Sequence, residues 1–134
     1  MKNKFMSVLL LCGLALLGCG YKHRPMVNPQ VEILNKVSID QVKTTIGRVL
    51  RVIGWRVESE NPGVTVASLQ KGELFAKIKV EYTETQININ YIDSRNFNYS
   101  KRQGKWETIH SHYLSWVNHV AESVGKALNT LPAK

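Results

Sequence analysis

Two stretches of the chain repeat apolar residues at helical spacing, and between them lie four short runs bounded by turn residues. In the first helical stretch Ile39, Val42, Ile46, Val49, Leu50 and Ile53 form one stripe, while Lys43, Arg48 and Arg51 fall off it. Ser38 precedes that stripe with Gln41 three residues on, the pattern of a capping box in which each side chain satisfies the other's free backbone amide. Gly54 is its natural C-terminal stop. In the second stretch Ile109, Tyr113, Trp116, Val117, Val120, Val124, Leu128 and Leu131 share a face, with Pro132 closing it. His112, Ser115, Asn118, His119, Glu122 and Lys126 make the opposite, polar face.

The four runs cover 55–58, 64–69, 74–81 and 86–91. In the third, Ala76, Ile78 and Val80 alternate with Lys77, Lys79 and Glu81; in the fourth, Ile87, Ile89 and Tyr91 alternate with Gln86, Asn88 and Asn90. A period of two with one apolar face is what an antiparallel sheet with one wet side requires. Asn61-Pro62-Gly63 fits a type II turn, Lys71-Gly72 a tight hairpin, and residues 82–85 a polar connection. The expected fold is α+β: a four-stranded antiparallel meander with one helix before it and one after, both packed on one sheet face. Residues 31–37 alternate weakly and permit an edge strand, and residues 92–108 read as a long polar connection.

The amino-terminal segment has a different character. Lys2 and Lys4 precede an apolar run over 5–17 interrupted only by Ser7 and Gly13, the parts of a secretory signal peptide. The run is shorter than the ~20 residues a membrane span needs. It ends in Leu16-Leu17-Gly18-Cys19, which resembles the lipobox of bacterial lipoproteins. That resemblance implies a signal peptide over 1–18, removed by cleavage before Cys19, with the cysteine sulfur lipidated and its new amino terminus acylated. One acyl chain holds a protein only marginally, whereas two or three give stable anchoring. Residue 20 is Gly rather than the Asp that marks inner-membrane retention in enterobacterial lipoproteins, which implies the periplasmic face of the outer membrane. Residues 19–37 then form a lipidated N-terminus and tether, of which the eleven residues 20–30, with two prolines, could reach about 35 Å. Residues 38–134 are the single α+β domain.

Charge and cysteine content change meaning once that segment is set aside. The 134 residues carry 18 Lys plus Arg and 10 Asp plus Glu; without Lys2 and Lys4 the balance is 16 against 10, or +6. Export removes nucleic acid as a partner and leaves the membrane itself, an envelope polyanion or an envelope protein. Cys12 leaves with the leader and Cys19 is consumed by lipid, so the domain has no disulfide and is held by its core alone.

Convergent chemistry is sparse. His112 and His119 are seven apart, about 10.5 Å along a helix, too far to share a zinc ion at roughly 2.0–2.1 Å from each. Neither a metal nor a cofactor is expected. Asp93, Ser94 and His110 invite a triad reading, but no G-x-S-x-G elbow accompanies them. The better candidate is the aromatic and basic connection: Ser94, Asn96, Phe97, Tyr99, Lys101, Arg102, Lys105 and His110. Aromatic faces there could stack on sugar rings or lipid tails while cations hold phosphates or carboxylates; alternatively Phe97 and Tyr99 continue as a fifth strand or pack under the loop. On the polar strand face Phe75 is the one unexplained apolar residue.

Gly54-Trp55, Pro62-Gly63, Tyr91, Ser94, Asn96, Tyr99, Ile109-His110, Tyr113 and Trp116 are together similar to a group of small uncharacterised proteobacterial lipoproteins, over residues 38–131. The resemblance implies no activity, but it implies that the connection docks on the start of the second helix. The expected function is that of a non-enzymatic, lipid-anchored envelope lipoprotein that binds or supports an envelope polymer or protein. The alternatives are an adaptor subunit of an outer-membrane assembly or secretion complex and, further off, a periplasmic hydrolase.

Overall fold

The computed structural model describes residues 23–101 and 107–132. Its elements in chain order are β1 (His23–Pro25), β2 (Gln30–Glu32), α1 (Ile39–Val52), β3 (Arg56–Asn61), β4 (Val64–Lys71), β5 (Leu74–Tyr82), β6 (Gln86–Arg95), β7 (Ser100–Lys101), β8 (Glu107–His110) and α2 (Ser111–Asn129). The architecture is α+β, with two antiparallel sheets: five strands in the order β2-β6-β5-β4-β3 and three in the order β1-β8-β7.

The meander β3 to β6 forms as its periodicity predicts, but the four-stranded sheet does not stand alone. It gains β2 as a fifth strand on β6, and a second small sheet is added. β2 is the edge strand that the weak alternation from Val31 permitted, shorter and one residue earlier than read, while β1 and β7, of three and two residues, are too short to carry a readable alternation.

α1 starts and stops where local chemistry dictates. The Gln41 amide donates to Ser38 Oγ at 3.2 Å and the Ser38 amide to Gln41 Oε1 at 2.9 Å. At the other end Gly54 takes φ +100°, the Trp55 amide donates to the Leu50 carbonyl at 2.8 Å, and the Gly54 amide to that of Arg51 at 3.2 Å. That pair of bonds is a Schellman stop, which needs a residue free to adopt the left-handed conformation. Val42, Ile46, Leu50, Ile78, Val80, Ile87, Ile89, Tyr113, Val117, Val120, Val124 and Leu128 are all fully buried in one cluster, so the apolar stripes of both helices close on the apolar face of the large sheet. In α2 the missing side chain of Gly125 lets Val31 of β2 approach; a Cβ there would sit 3.0 Å from Val31 Cγ1.

β3 and β4 run on to Asn61 and Lys71, beyond the 58 and 69 read from the sequence, and three other boundary shifts bear on the site. Tyr82 belongs to the buried row of β5 rather than to a polar connection, and its hydroxyl donates to the Asn61 carbonyl at 3.0 Å. β6 runs on to Arg95 across a bulge: Lys77 pairs with Asp93 while Ile78 pairs with Tyr91, leaving Ile92 extra. An inserted residue reverses the alternation beyond it, so Tyr91 and Ser94, three apart, both point to the helix side. α2 begins at Ser111, and Ile109 fills the core from β8 instead of from the helix.

The tether expected over 19–37 is not free over 23–37. β1 pairs with β8 and the Met26 amide donates to the Glu107 carbonyl at 2.9 Å. The Tyr91 amide donates to Asn28 Oδ1 at 3.2 Å, the Ile89 amide to the Pro29 carbonyl at 2.9 Å, and β2 follows on β6. Ile33 and Val37 are in the core, and Asn35 Nδ2 donates to the carbonyls of Leu128 and Leu131 at 3.0 and 2.9 Å, closing the end of α2. Every orphan carbonyl met this way by the leading segment makes that segment part of the domain. Among the described residues no helix is long and apolar enough to cross a membrane.

Candidate functional site

The connection between β6 and α2 folds back onto the first turns of α2 around a row of aromatic rings. Tyr99 stacks on Tyr91 with centroids 4.4 Å apart, Tyr91 meets Tyr113 edge-on at 5.5 Å, and Tyr113 meets Phe97 at 6.0 Å. Phe97 meets Trp116 at 4.9 Å and Trp116 meets Trp55 at 6.4 Å. Offset and edge-to-face pairs within about 7 Å are the favoured arrangements of aromatic quadrupoles.

Local backbone chemistry produces this inward turn. Asn96 and Asn98 both take positive φ, 64° and 52°, the left-handed region asparagine tolerates better than other side-chain-bearing residues. They bracket Phe97, and Asn96 Nδ2 donates to the Glu73 carbonyl at 2.6 Å while the His110 amide donates to the Phe97 carbonyl at 2.8 Å. Phe97 is consequently 1% exposed. As a ligand-contacting ring it is corrected: it anchors the loop to the core.

The other expected residues divide. Ser94, Tyr99 and His110 are half-buried and Lys101 and Asn96 exposed. Ser94 Oγ and the Tyr91 hydroxyl are hydrogen-bonded at 2.8 Å, and Lys101 Nζ pairs with Glu107 at 3.3 Å. Burial pushes the phenol of Tyr91 above the ordinary tyrosine range, against the opposing bond from Ser94. Tyr99 is raised likewise by burial and then by its hydrogen bond to Glu107. Tyr113, buried deepest and next to Tyr91, is raised furthest. Arg102, Lys105 and Cys19 lie outside the described residues.

Ser94 and His110 do not take triad roles with Asp93. Asp93 pairs with Lys77 on the wet face while Ser94 pairs with the buried Ala76, so the pleat sends the two side chains to opposite faces. The Asp93 carboxylate instead accepts the Ser94 amide at 2.8 Å. His110 is the N-cap of α2: its Nδ1 accepts the His112 amide at 3.1 Å, and the two rings meet at 4.7 Å. Among the described residues no three His, Cys, Asp or Glu converge on a point a metal ion could occupy.

Sequence reasoning left Tyr91 and Glu107 out of the contact set. Tyr91 read as the core-facing end of a strand, and only the bulge at Ile92 brings its hydroxyl to Ser94. On the wet face Phe75 is accounted for: the Arg95 guanidinium lies over its ring at 4.4 Å, a cation–π contact across the β5–β6 ladder. Lys77 with Glu58 and Lys79 with Glu81, at 3.3 and 3.2 Å, neutralise most of the rest.

What the rim offers chemically is a short row of hydroxyls, Ser94, Tyr91 and Tyr99, beside a Lys101–Glu107 pair: donors, acceptors and ring edges suited to holding a polar ligand. Comparison of the chain with family models, with curated proteins and with solved structures gives no match.

Proposed function

We propose that this chain is a non-enzymatic envelope lipoprotein, carried by acyl chains on Cys19 at the periplasmic face of an outer membrane. Its α+β domain serves as a binding or structural module for an envelope polymer or protein. The observation that carries the reading is the leader ending in Leu16-Leu17-Gly18-Cys19, with an ordered fold under way by His23. The rim formed by Ser94, Tyr99 and Lys101 is its contact surface, with Arg102 and Lys105 extending it in sequence. Support for binding rather than chemistry comes from the use made of the reactive groups: Ser94 is engaged with Tyr91, and His110 caps a helix.

The test is production of the full chain in a bacterium with two membranes, followed by fractionation and mass spectrometry of the mature amino-terminal peptide. The expected result is a peptide starting at Cys19 with added acyl mass in the outer-membrane fraction, and loss of both in Cys19→Ala. An uncut leader with a bare thiol overturns the reading. Replacing Lys101, Arg102 and Lys105 with Ser should weaken binding to envelope fractions; unchanged binding removes the polyanion as ligand.

The adaptor reading is favoured by one feature. β3 ends the large sheet and offers six residues of strand edge, onto which a partner strand could add. Recovery of one stoichiometric protein from solubilised membranes, lost when β3 is altered, would establish it over polymer binding.

A further inference from the structure

We infer that the lipid anchor is too short to let the domain stand clear of the bilayer, and that the edge carrying β1, Val27 and Ile92 rests on the lipid surface. This inference depends on the lipoprotein reading above and specifies how the domain is held.

Chain length gives the first argument. Only Gly20, Tyr21 and Lys22 separate Cys19 from His23, and His23 is already paired with His110. Four Cα steps extend to about 14 Å at most. A free tether through residue 30 would have given more than twice that reach, but residues 23–32 are bound to β8 and β6. A lipidated sulfur sits in the headgroup layer, so β1 is confined to within that short radius of it.

Exposed apolar side chains at that edge point the same way. Four large apolar residues are exposed among the described residues: Val27, Leu34, Val52 and Ile92. Val27 (54% exposed) and Ile92 (41%) flank a single hydrogen bond, that of the Tyr91 amide to Asn28 Oδ1. Ile92 is there because the bulge leaves it without a ladder partner. Isolated exposed apolar residues are ordinary on a protein surface. Two on segments joined by that hydrogen bond, at the edge where the chain leaves for its anchor and with the exposed Arg24 on the adjoining strand, match an interfacial contact: apolar side chains at the acyl boundary and a cation among headgroups. Val52 lies at the end of α1, which packs over β3 and β4 at the far side of the sheet.

The experiment uses the full lipidated chain reconstituted into vesicles of phosphatidylethanolamine and phosphatidylglycerol. Val27→Cys, Ile92→Cys and Val52→Cys each supply one free thiol, Cys19 being acylated, and each is labelled with a small fluorophore and quenched by nitroxide lipids. Labels at 27 and 92 should be quenched several-fold more than the label at 52. Equal quenching at all three positions, in protein whose acyl mass at Cys19 is verified, overturns the orientation alone. Protein that lacks the acyl mass and does not enter vesicles overturns the lipoprotein reading instead. A flexible insert of about twelve Gly and Ser residues between Lys22 and His23 should bring the labels at 27 and 92 down to the level of 52. Quenching that survives the insert refutes the short spacer as the cause.

Discussion

Replacing Phe97 with alanine tests whether the β6–α2 connection is part of the core or a loop free to receive ligand. The ring is 1% exposed, edge-on to Trp116 at 4.9 Å and to Tyr113 at 6.0 Å. Truncating a fully buried Phe costs about 3–5 kcal/mol, the lower values where the surroundings collapse into the gap. Collapse is limited here, because the backbone on either side is pinned by Asn96 to the Glu73 carbonyl and by the His110 amide to the Phe97 carbonyl. The edge-to-face contacts are lost as well, which places the expected cost near 4 kcal/mol. Against a total stability of about 5–15 kcal/mol for a domain, that is a large fraction, and it corresponds to a fall in Tm of roughly 15 °C or more. Urea unfolding followed by tryptophan fluorescence reads it directly, since Trp116 touches the deleted ring and Trp55 is buried beside it. Phe75→Ala is the control: that ring is half-buried on the wet face and covered by Arg95, and its loss should cost about 1 kcal/mol. If Phe97→Ala costs no more than Phe75→Ala, the argument that the connection is docked by this ring is wrong.

Two further outcomes follow from the same structure. Burial raises the phenols of Tyr82, Tyr91, Tyr99 and Tyr113. The folded state thus holds these protons more tightly than the unfolded chain, whose tyrosines titrate near pH 10; their contribution is whole below that pH and is lost as pH rises above it. The melting temperature should therefore fall above about pH 10, with tyrosinate absorbance of the native protein lagging that of the urea-unfolded chain, and coincident titrations would contradict the burial. A chain beginning at Ser38 lacks Ile33 and Val37, each worth about 1.5–3 kcal/mol of burial, together with β1, β2 and the Asn35 bonds that close α2. It should unfold without a cooperative transition while a chain beginning at Gly20 keeps one; equal urea midpoints would mean that the leading segment is an ornament on the domain.

Both helices and the four meander strands are legible because their signals are local. A capping box acts over three residues, the Gly54 stop over five, and strand alternation over six to nine. The leading segment fails that criterion: Leu34 finds Asn129 and Asn35 finds Leu131, 95 and 96 positions away, through irregular backbone with no period of its own. Residues 92–95 read as loop because the bulge at Ile92 interrupts alternation in the middle of a strand. For Phe97 the sequence left ligand contact and packing under the loop both open, because asparagines flank it; their positive φ, a possibility carried by Asn-x-Asn itself, is what turns the ring inward and decides for packing. Of the contact set, the structure gathers Ser94, Tyr99 and Lys101 along one rim with Tyr91 and Glu107, gives His110 to a helix cap and withdraws Phe97.

The strand that ties these findings together is β8. It pairs with β1 on one side and β7 on the other, its last residue caps α2, and that residue's amide is held by the Phe97 carbonyl. β1 and the candidate contact rim are therefore neighbours across one strand rather than opposite ends of the molecule. If Cys19 is lipidated and β1 is held near the headgroups, Lys101 and Glu107 would be presented close to the membrane plane, where a ligand in or on the bilayer could reach them more readily than a polymer lying deep in the periplasm. The β3 edge lies four strand spacings from β2, about 19 Å at roughly 4.8 Å each, at the opposite edge of the sheet from the leading segment. On the lipoprotein proposal a short anchor would separate the two binding readings in space: contact through the rim would favour a partner at the membrane surface, and contact through β3 one approaching from the periplasm.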